Sequence, residues 1–412
     1  MTAPRRRGTV VEPARARSVR LNRRRLLGGG AAAAGVAGLG LGAAAFTTHR
    51  DDTSPASSAV EPFYGEHQAG IATTPPAHAA FVALDLRPGT DGDDIVGVLK
   101  IWTEDAARLT AGRPALGDTE PELAGRPSRL TVTVGFGPRV FDVAGLADRR
   151  PHWLKPLPPF AIDRLDPGYG DGDLLLQICA EESTTVAHAV RVLCKSVKSL
   201  VSVRWVQRGF RDAAPGATPR NLMGQVDGTV NLAAGTPDFD RLVWDDGAAQ
   251  PWLAGGTSLV LRRIAMTLDT WDEIDPEGRE LTVGRRLSNG APLTGTSEFD
   301  EPDFAAVDAS GIPVIPPSSH IARAHHTHDG ERFLRRGYNY DDPPRPGETS
   351  NSGLLFAAYQ RDVTAQFLPV QQRLAEFDAL NVWTVPVGSA VFAIPPGVRA
   401  PGGYLGQSLF ER

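Results

Sequence analysis

Short apolar runs and longer amphipathic ones alternate along the chain from Ala79 onward. Residues 80–86 (AFVALDL) predict a strand. In residues 93–110, Ile95, Val98, Leu99, Trp102 and Ala106 fall near one face, the spacing of an amphipathic helix. A second strand is predicted over 129–137, ending in a glycine turn. A third, over 174–180 (LLLQICA), is nearly all apolar and so buried on both faces. Residues 184–195 read as helix and 200–209 as strand.

This order, strand-helix-strand-strand-helix-strand, is the split βαβ arrangement of a ferredoxin-like unit. The second half offers a similar set: strand 258–266, helix 271–283, strand 353–360, helix 366–377 and strand 390–394. The pattern predicts an α+β protein of two ferredoxin-like halves, 62–245 and 246–412. Each half would be an antiparallel sheet with helices packed on it. The halves share an order of elements but no sequence repeat.

Before residue 62 the pattern changes. A basic stretch runs to Asn22-Arg23-Arg24-Arg25-Leu26-Leu27, and an uncharged Gly/Ala-rich run follows from Gly28 to Phe46. That run is too short and too weakly apolar for a good transmembrane helix. Paired arginines before a mild apolar segment resemble a twin-arginine signal, with Ala43-Ala44-Ala45 as cleavage site. The alternative is an uncleaved signal acting as an anchor. Residues 1–45 are therefore set aside, and 46–61 read as a flexible tether. The resemblance implies the twin-arginine translocase as a partner and an exported destination: extracellular, cell-envelope or periplasmic.

Composition narrows the classes further. Residues 1–45 carry nine Arg against one Glu, so without them the formal charge falls from −5 to −13. A chain that acidic is poorly suited to nucleic acid or anionic membrane. Cys179 and Cys194 are the two cysteines. With no CxxC or CxxCH they read as buried thiols, which argues against covalent haem and thiolate zinc. Oligomeric state is left open, a homo-oligomer included.

Candidate chemistry lies mainly in the second half, which has no GxSxG, phosphate loop or dinucleotide fingerprint. Four of the nine His fall within nine residues: His320, His325, His326 and His328. Such density points to metal or haem ligation, or equally to a solvated polar loop, and the spacing matches no zinc motif. Leu334-Arg335-Arg336-Gly337-Tyr338 follows. Earlier, Gly224-Gln225-Val226-Asp227-Gly228 flanks an aspartate with two glycines, which lets the backbone come close to a ligand or simply forms a turn.

Together these segments resemble the dye-decolourising peroxidase family over nearly the whole chain beyond the signal. Its GxxDG motif stands at Gly224–Gly228. Further matches are Gly65–Ile71, Gly135-Phe136-Gly137, Gly172–Ile178, Gly284-Arg285, Ser319-His320-Ile321, Leu334–Tyr338, Gly353–Gln360 and Gly388–Gly397. The resemblance implies non-covalent haem b (iron protoporphyrin IX), bound in the C-terminal half with His320 as axial ligand. His325 and His326 remain rivals.

Asp227 and Arg335 would stand on the opposite face, with Arg336 as the alternative arginine. Gly228, Leu354 and Phe356 would help wall the pocket. The implied activity reduces hydrogen peroxide and oxidises dyes, phenols or a metalloprotein donor. A carboxylate moves the peroxide proton between oxygens while a guanidinium stabilises the developing charge. An aspartate in that role implies an acidic optimum with dyes. A carboxylate or carbonyl is expected on the other nitrogen of the axial His. Tyr338, Tyr340, Tyr359 and Trp383 are candidate electron conduits or ordinary core aromatics. Iron release from haem, and haem binding without catalysis, are the alternative functions.

Overall fold

The structure is a computed structural model that describes residues 58–411, except 215 and 345. The expected signal and most of the expected tether lie outside the described residues. The tether's last residues are held rather than free. The Ala59 carbonyl accepts the Arg129 N–H at 2.7 Å, and Glu61 pairs with the Arg129 guanidinium at 2.7 Å.

Among the described residues nine strands run in chain order. The first four are β1 His78–Leu86, β2 Thr131–Phe136, β3 Leu174–Ala180 and β4 Val201–Phe210. The others are β5 Thr257–Met266, β6 Leu334–Arg335, β7 Tyr338–Asp342, β8 Asn351–Gln360 and β9 Thr384–Ile394. The first four helices are α1 Gly92–Thr110, α2 Pro138–Val143, α3 Ser183–Ser196 and α4 Pro237–Val243. Then come α5 Leu268–Asp272, α6 Pro276–Val283, α7 His320–Ala324, α8 Leu368–Phe377 and α9 Gln407–Phe410. Predicted elements of the first half end within two residues of the observed ones.

The second half departs from expectation in ways the sequence explains. Helix 271–283 is two helices, because Asp275 caps the Gly278 N–H at 2.7 Å and Pro276 starts a new helix. The strand expected at 390–394 begins at Thr384; Pro386 and Gly388 had hidden its first turn of alternation. Strands β6 and β7 were not predicted.

The expectation of two separate sheets also gives way. Every pairing is antiparallel, and the order β5-β9-β2-β3-β1-β4-β7-β8-β6 forms one sheet. Because β5 also pairs with β8, the first eight of these close into a barrel-like ring. The halves meet through single bridges, Phe136↔Ala393 and Phe210↔Asn339.

Alternation along the strands divides the core in two. On β1, Ala80, Val82 and Leu84 pack in a cluster with Leu99 and Trp102 of α1 and Leu193 of α3. Ala79, Phe81 and Ala83 point the other way, into a cluster with Leu259, Tyr338, Leu355 and Phe392. Both faces of β1 are thus apolar, the signature of a strand covered on both sides. Asp91 starts α1 with a reciprocal capping box to Asp94.

The Gly135-Phe136-Gly137 segment has a steric reason. A β-carbon on Gly137 would lie 2.0 Å from the Gly172 carbonyl oxygen, whereas one on Gly117 would meet nothing within 4 Å. Gly137→Ala should therefore cost about 1–3 kcal/mol in urea unfolding, against little for Gly117→Ala. Equal stability of the two variants would show that the loop carrying Gly172 yields freely.

Candidate active site

One cavity of about 290 Å³ brings together Asp227, Gly228, His320, Arg335, Leu354 and Phe356, every site residue expected from the sequence. His325 and His326 also line it; Arg336 does not. Sheet alternation builds one wall. On β8, Leu354 and Phe356 face the cavity while Leu355, Ala357 and Tyr359 face the apolar interior. Ile264 and Met266 of the neighbouring β5 extend that wall. Helices supply the other side through Val283 of α6, Ile321 and Ala324 of α7, and Val370 and Leu374 of α8.

His320 is the first residue of α7. Its Nδ1 is 2.7 Å from Oδ2 of Asp378, whose other oxygen accepts the Leu380 N–H at 2.9 Å. Asp378 is buried, so its orientation is fixed before the histidine meets it. Burial disfavours a charged His320 ring, but the Asp378 charge and hydrogen bond outweigh it and the pKa is raised. With Nδ1 engaged, Nε2 is the nitrogen left for a ligand in the cavity. Sequence reasoning anticipated an acceptor here without finding it. Asp378 lies 58 positions from His320, in a turn that nothing in the local pattern distinguishes.

Asp227 and Arg335 meet at 3.6 Å, each about one-third exposed. Asp227 is placed by its own N–H donating to the Pro219 carbonyl at 2.9 Å, and Arg335 donates to the Val230 carbonyl at 2.7 Å. Asn231 grips the Arg335 backbone twice. Its Nδ2 donates to the Arg335 carbonyl at 2.7 Å, and its Oδ1 accepts the Arg335 N–H at 2.8 Å. Sequence reasoning missed Asn231, although it stands four residues after Asp227, just beyond the Gly224–Gly228 motif.

Adjacent strand residues point to opposite faces, and this separates the two arginines. Arg336 is buried, and its Nη1 donates to the carbonyls of Ile71 and Thr73 at 3.3 and 2.5 Å. It anchors the Gly65–Ile71 segment rather than facing the cavity.

The histidine cluster disperses. His325 packs tilted against Phe304 and His326, with ring centroids at 5.0 and 4.6 Å. Burial and the neighbouring His326 lower its pKa. His328 is exposed beside Glu331. Among the described residues no three His, Cys, Asp or Glu side chains converge as a metal-ion site. Arg285 joins the cavity wall, donating to the carbonyls of Gly290 and Glu298.

Of the candidate conduits, Tyr338, Tyr340 and Tyr359 are buried in the interior core. Trp383 is half-buried and packs edge-on against Trp271 at 5.2 Å. Trp271 in turn packs with Met223, Met266 and Leu380, which line the cavity. The two thiols are free: Cys179 is buried and Cys194 partly so, with burial pushing Cys194 up to about 11.

An apolar cavity with one carboxylate-backed histidine and a carboxylate–guanidinium pair defines a redox or ligand-activating site. Comparison with known proteins says which. Residues 68–211 match the family model described as "Dyp-type peroxidase, N-terminal", and residues 218–399 match "Dyp-type peroxidase, C-terminal". The chain belongs to the dye-decolourising peroxidase family.

The dye-decolorizing peroxidase of Thermobifida fusca is 42% identical over 363 residues, covering 84% of each chain. The deferrochelatase of Yersinia pestis is 38% identical over 372 residues, covering 85% of each. A DyP-type peroxidase structure from Cellulomonas bogoriensis superposes with a TM-score of 0.84 at 57% identity, covering 87% of this chain and 99% of that one. Ferric DtpA from Streptomyces lividans gives 0.82 at 39%, covering 87% and 100%. The protein is an enzyme of the DyP peroxidase type.

The raised His320 pKa has a measurable consequence in haem-free protein. Stabilisation by the His320–Asp378 pair is complete below the ordinary histidine value of ~6.5 and is lost as pH rises through the raised folded value. Unfolding free energies between ~pH 5 and ~pH 9 should show this decline, and Asp378→Asn should remove it. Superimposable profiles for the two proteins would rule out the pairing.

Proposed function

We propose that the cavity binds haem b non-covalently and that the enzyme uses it to reduce hydrogen peroxide while oxidising dyes, phenols or other one-electron donors. The observation that carries this reading is His320, held by Asp378 with Nε2 left for the cavity that Asp227 and Arg335 share. His320, rather than His325 or His326, would hold the haem iron through Nε2. Leu354, Phe356 and Gly228 wall the group, and Met266 and Val370 add apolar cover. The donor set fits haem: one neutral nitrogen ligand with a carboxylate behind it, and apolar walls for a flat macrocycle. When bound, haem supplies an iron centre that exchanges electrons with peroxide and donor.

The chain's own residues handle the protons. Asp227 accepts a proton from the near oxygen of peroxide and returns it to the far one, so that water leaves. Arg335 keeps its charge throughout and stabilises the negative charge that develops as the O–O bond opens. Asp378 draws on the Nδ1 proton of His320 and so makes Nε2 a stronger donor.

Of the two ferredoxin-like halves, divided near residue 245, the first is supported by the order β2-β3-β1-β4, with α1 and α3 in the two crossovers. Export by the twin-arginine translocase, to the cell envelope or beyond, rests on the arginine run at 23–25 and the segment after it. Bulky donors give up electrons at Trp383, through Trp271, a reading supported by their edge-on contact. The deferrochelatase relatives favour a second function, release of iron from haem with the porphyrin spared. The Asp227–Arg335 pair argues against haem binding without catalysis, since a carrier has no use for a peroxide-cleaving pair.

The test is an absorption spectrum of the purified protein before and after one equivalent of peroxide. The native Soret band should shift within mixing time, and His320→Ala should lack the native band. Asp227→Ala should slow the shift by roughly 10²–10⁴-fold. Haem bound with no response to peroxide, or iron lost with porphyrin intact, would move the assignment to the second function. Trp383→Phe should lower dye turnover several-fold and leave the peroxide-driven shift unchanged. Loss of both would exclude a conduit.

A further inference from the structure

A second cavity, of about 270 Å³, adjoins the first and shares Asp227, Gly228, Arg335, Leu354 and Phe356 with it. Its character differs. Three of its lining residues are arginines (Arg211, Arg220 and Arg335), and Asp227 is the one lining acid. In a chain carrying −13 beyond its signal, this is a local excess of positive charge.

The three guanidiniums are not equally available. Arg220 donates to the carbonyls of Gly224, Leu287 and Ser288, and Arg335 pairs with Asp227. Arg211 follows β4, where its N–H donates to the Ala77 carbonyl. Its guanidinium makes no hydrogen bond or ion pair among the described residues. It is half-buried, and loss of water lowers its pKa; Arg336 adds to the effect, while Tyr338, Asp227 and Glu181 offset part of it. A partly desolvated guanidinium without a partner is costly, and a carboxylate is the group that its two-pronged edge fits best.

The rest of the wall is uncharged: Pro75, Pro219, Leu354 and Phe356 are apolar, and Thr218, Asn231 and Asn339 are polar. A cation at one end and a prolyl and phenyl surface elsewhere suit one aromatic ring bearing a carboxylate. We propose that this second cavity seats small aromatic carboxylates as electron donors, with Arg211 reading the carboxylate and Phe356 and Pro219 flanking the ring. The assignment rests on the peroxidase reading. Each phenolic donor gives up one electron and its phenolic proton. Two donors per peroxide leave two phenoxyl radicals and two waters.

The test pairs 4-hydroxybenzoate with its neutral counterpart 4-hydroxybenzamide as donors to the haem-loaded enzyme. It adds benzoate and benzamide as ligands that need no turnover. Benzoate should bind the resting native enzyme in a calorimetric titration, and benzamide should bind about tenfold or more weakly, the worth of one ion pair. In Arg211→Gln the ratio of kcat/KM for 4-hydroxybenzoate over 4-hydroxybenzamide should fall about tenfold. Arg211→Lys should restore part of it.

Benzoate and benzamide binding alike to the native enzyme would overturn the proposal, and that comparison needs no variant. Formate binding as tightly as benzoate would overturn the aromatic part. A substitution that changes KM for peroxide but not the donor ratio would make the cavity a peroxide route only. Should neither phenol be oxidised by native enzyme, the peroxidase reading fails, while the benzoate titration still decides the site.

Discussion

Strand β8 is the constraint on which the site depends, because it is paired along both edges. Its length from Ser352 to Gln360 is matched against β5, while β7 and β6 take the opposite edge. A strand held on both sides cannot slip by one residue without turning its buried set outward. That register fixes Leu354 and Phe356 on the cavity face and Tyr359 in the core. Through the β6 pairing Arg335↔Ala358, it also fixes which arginine faces the cavity. Closure of the sheet through β8 makes the position of this cavity wall a property of the whole sheet.

Against this rigid wall the charged groups are arranged by loops, and each is held by the backbone of something else. Asp227 hangs from Pro219, Arg335 is gripped by Asn231, and His320 is set by Asp378. The result is a division of electrostatic labour within one apolar cavity. A buried carboxylate raises the basicity of one imidazole, and a partly solvated carboxylate sits beside a permanent cation. The first arrangement suits ligation and the second suits proton movement during charge development.

Much of this was legible in the sequence, for identifiable reasons. The first half reads cleanly because three of its four strands are buried on both faces and its long helices carry an amphipathic period. The motif residues Asp227, His320, Arg335, Leu354 and Phe356 were found together because short segments with fixed chemistry survive in order along the chain. Closure of the sheet was not legible. It depends on single bridges such as Phe136↔Ala393, which leave no periodic trace. Asp378 and Asn231 were missed for a related reason: each acts on a partner far away in sequence. An isolated Asp, Asn or Arg near a turn looks like surface, which hid Arg211 as well. The choice between Arg335 and Arg336 needed the pleat, which pattern alone gives only once the strand is known.

The central claim is that one cavity holds haem between His320 on one side and Asp227 with Arg335 on the other. The most direct measurement is a crystal structure of the haem-loaded protein with the iron located by its anomalous scattering. The account predicts iron bonded to Nε2 of His320, with Nδ1 still on Asp378 and with Asp227 and Arg335 facing the opposite side of the ring. Iron bonded to His325 or His326, or lying on the same side as Asp227, would contradict it.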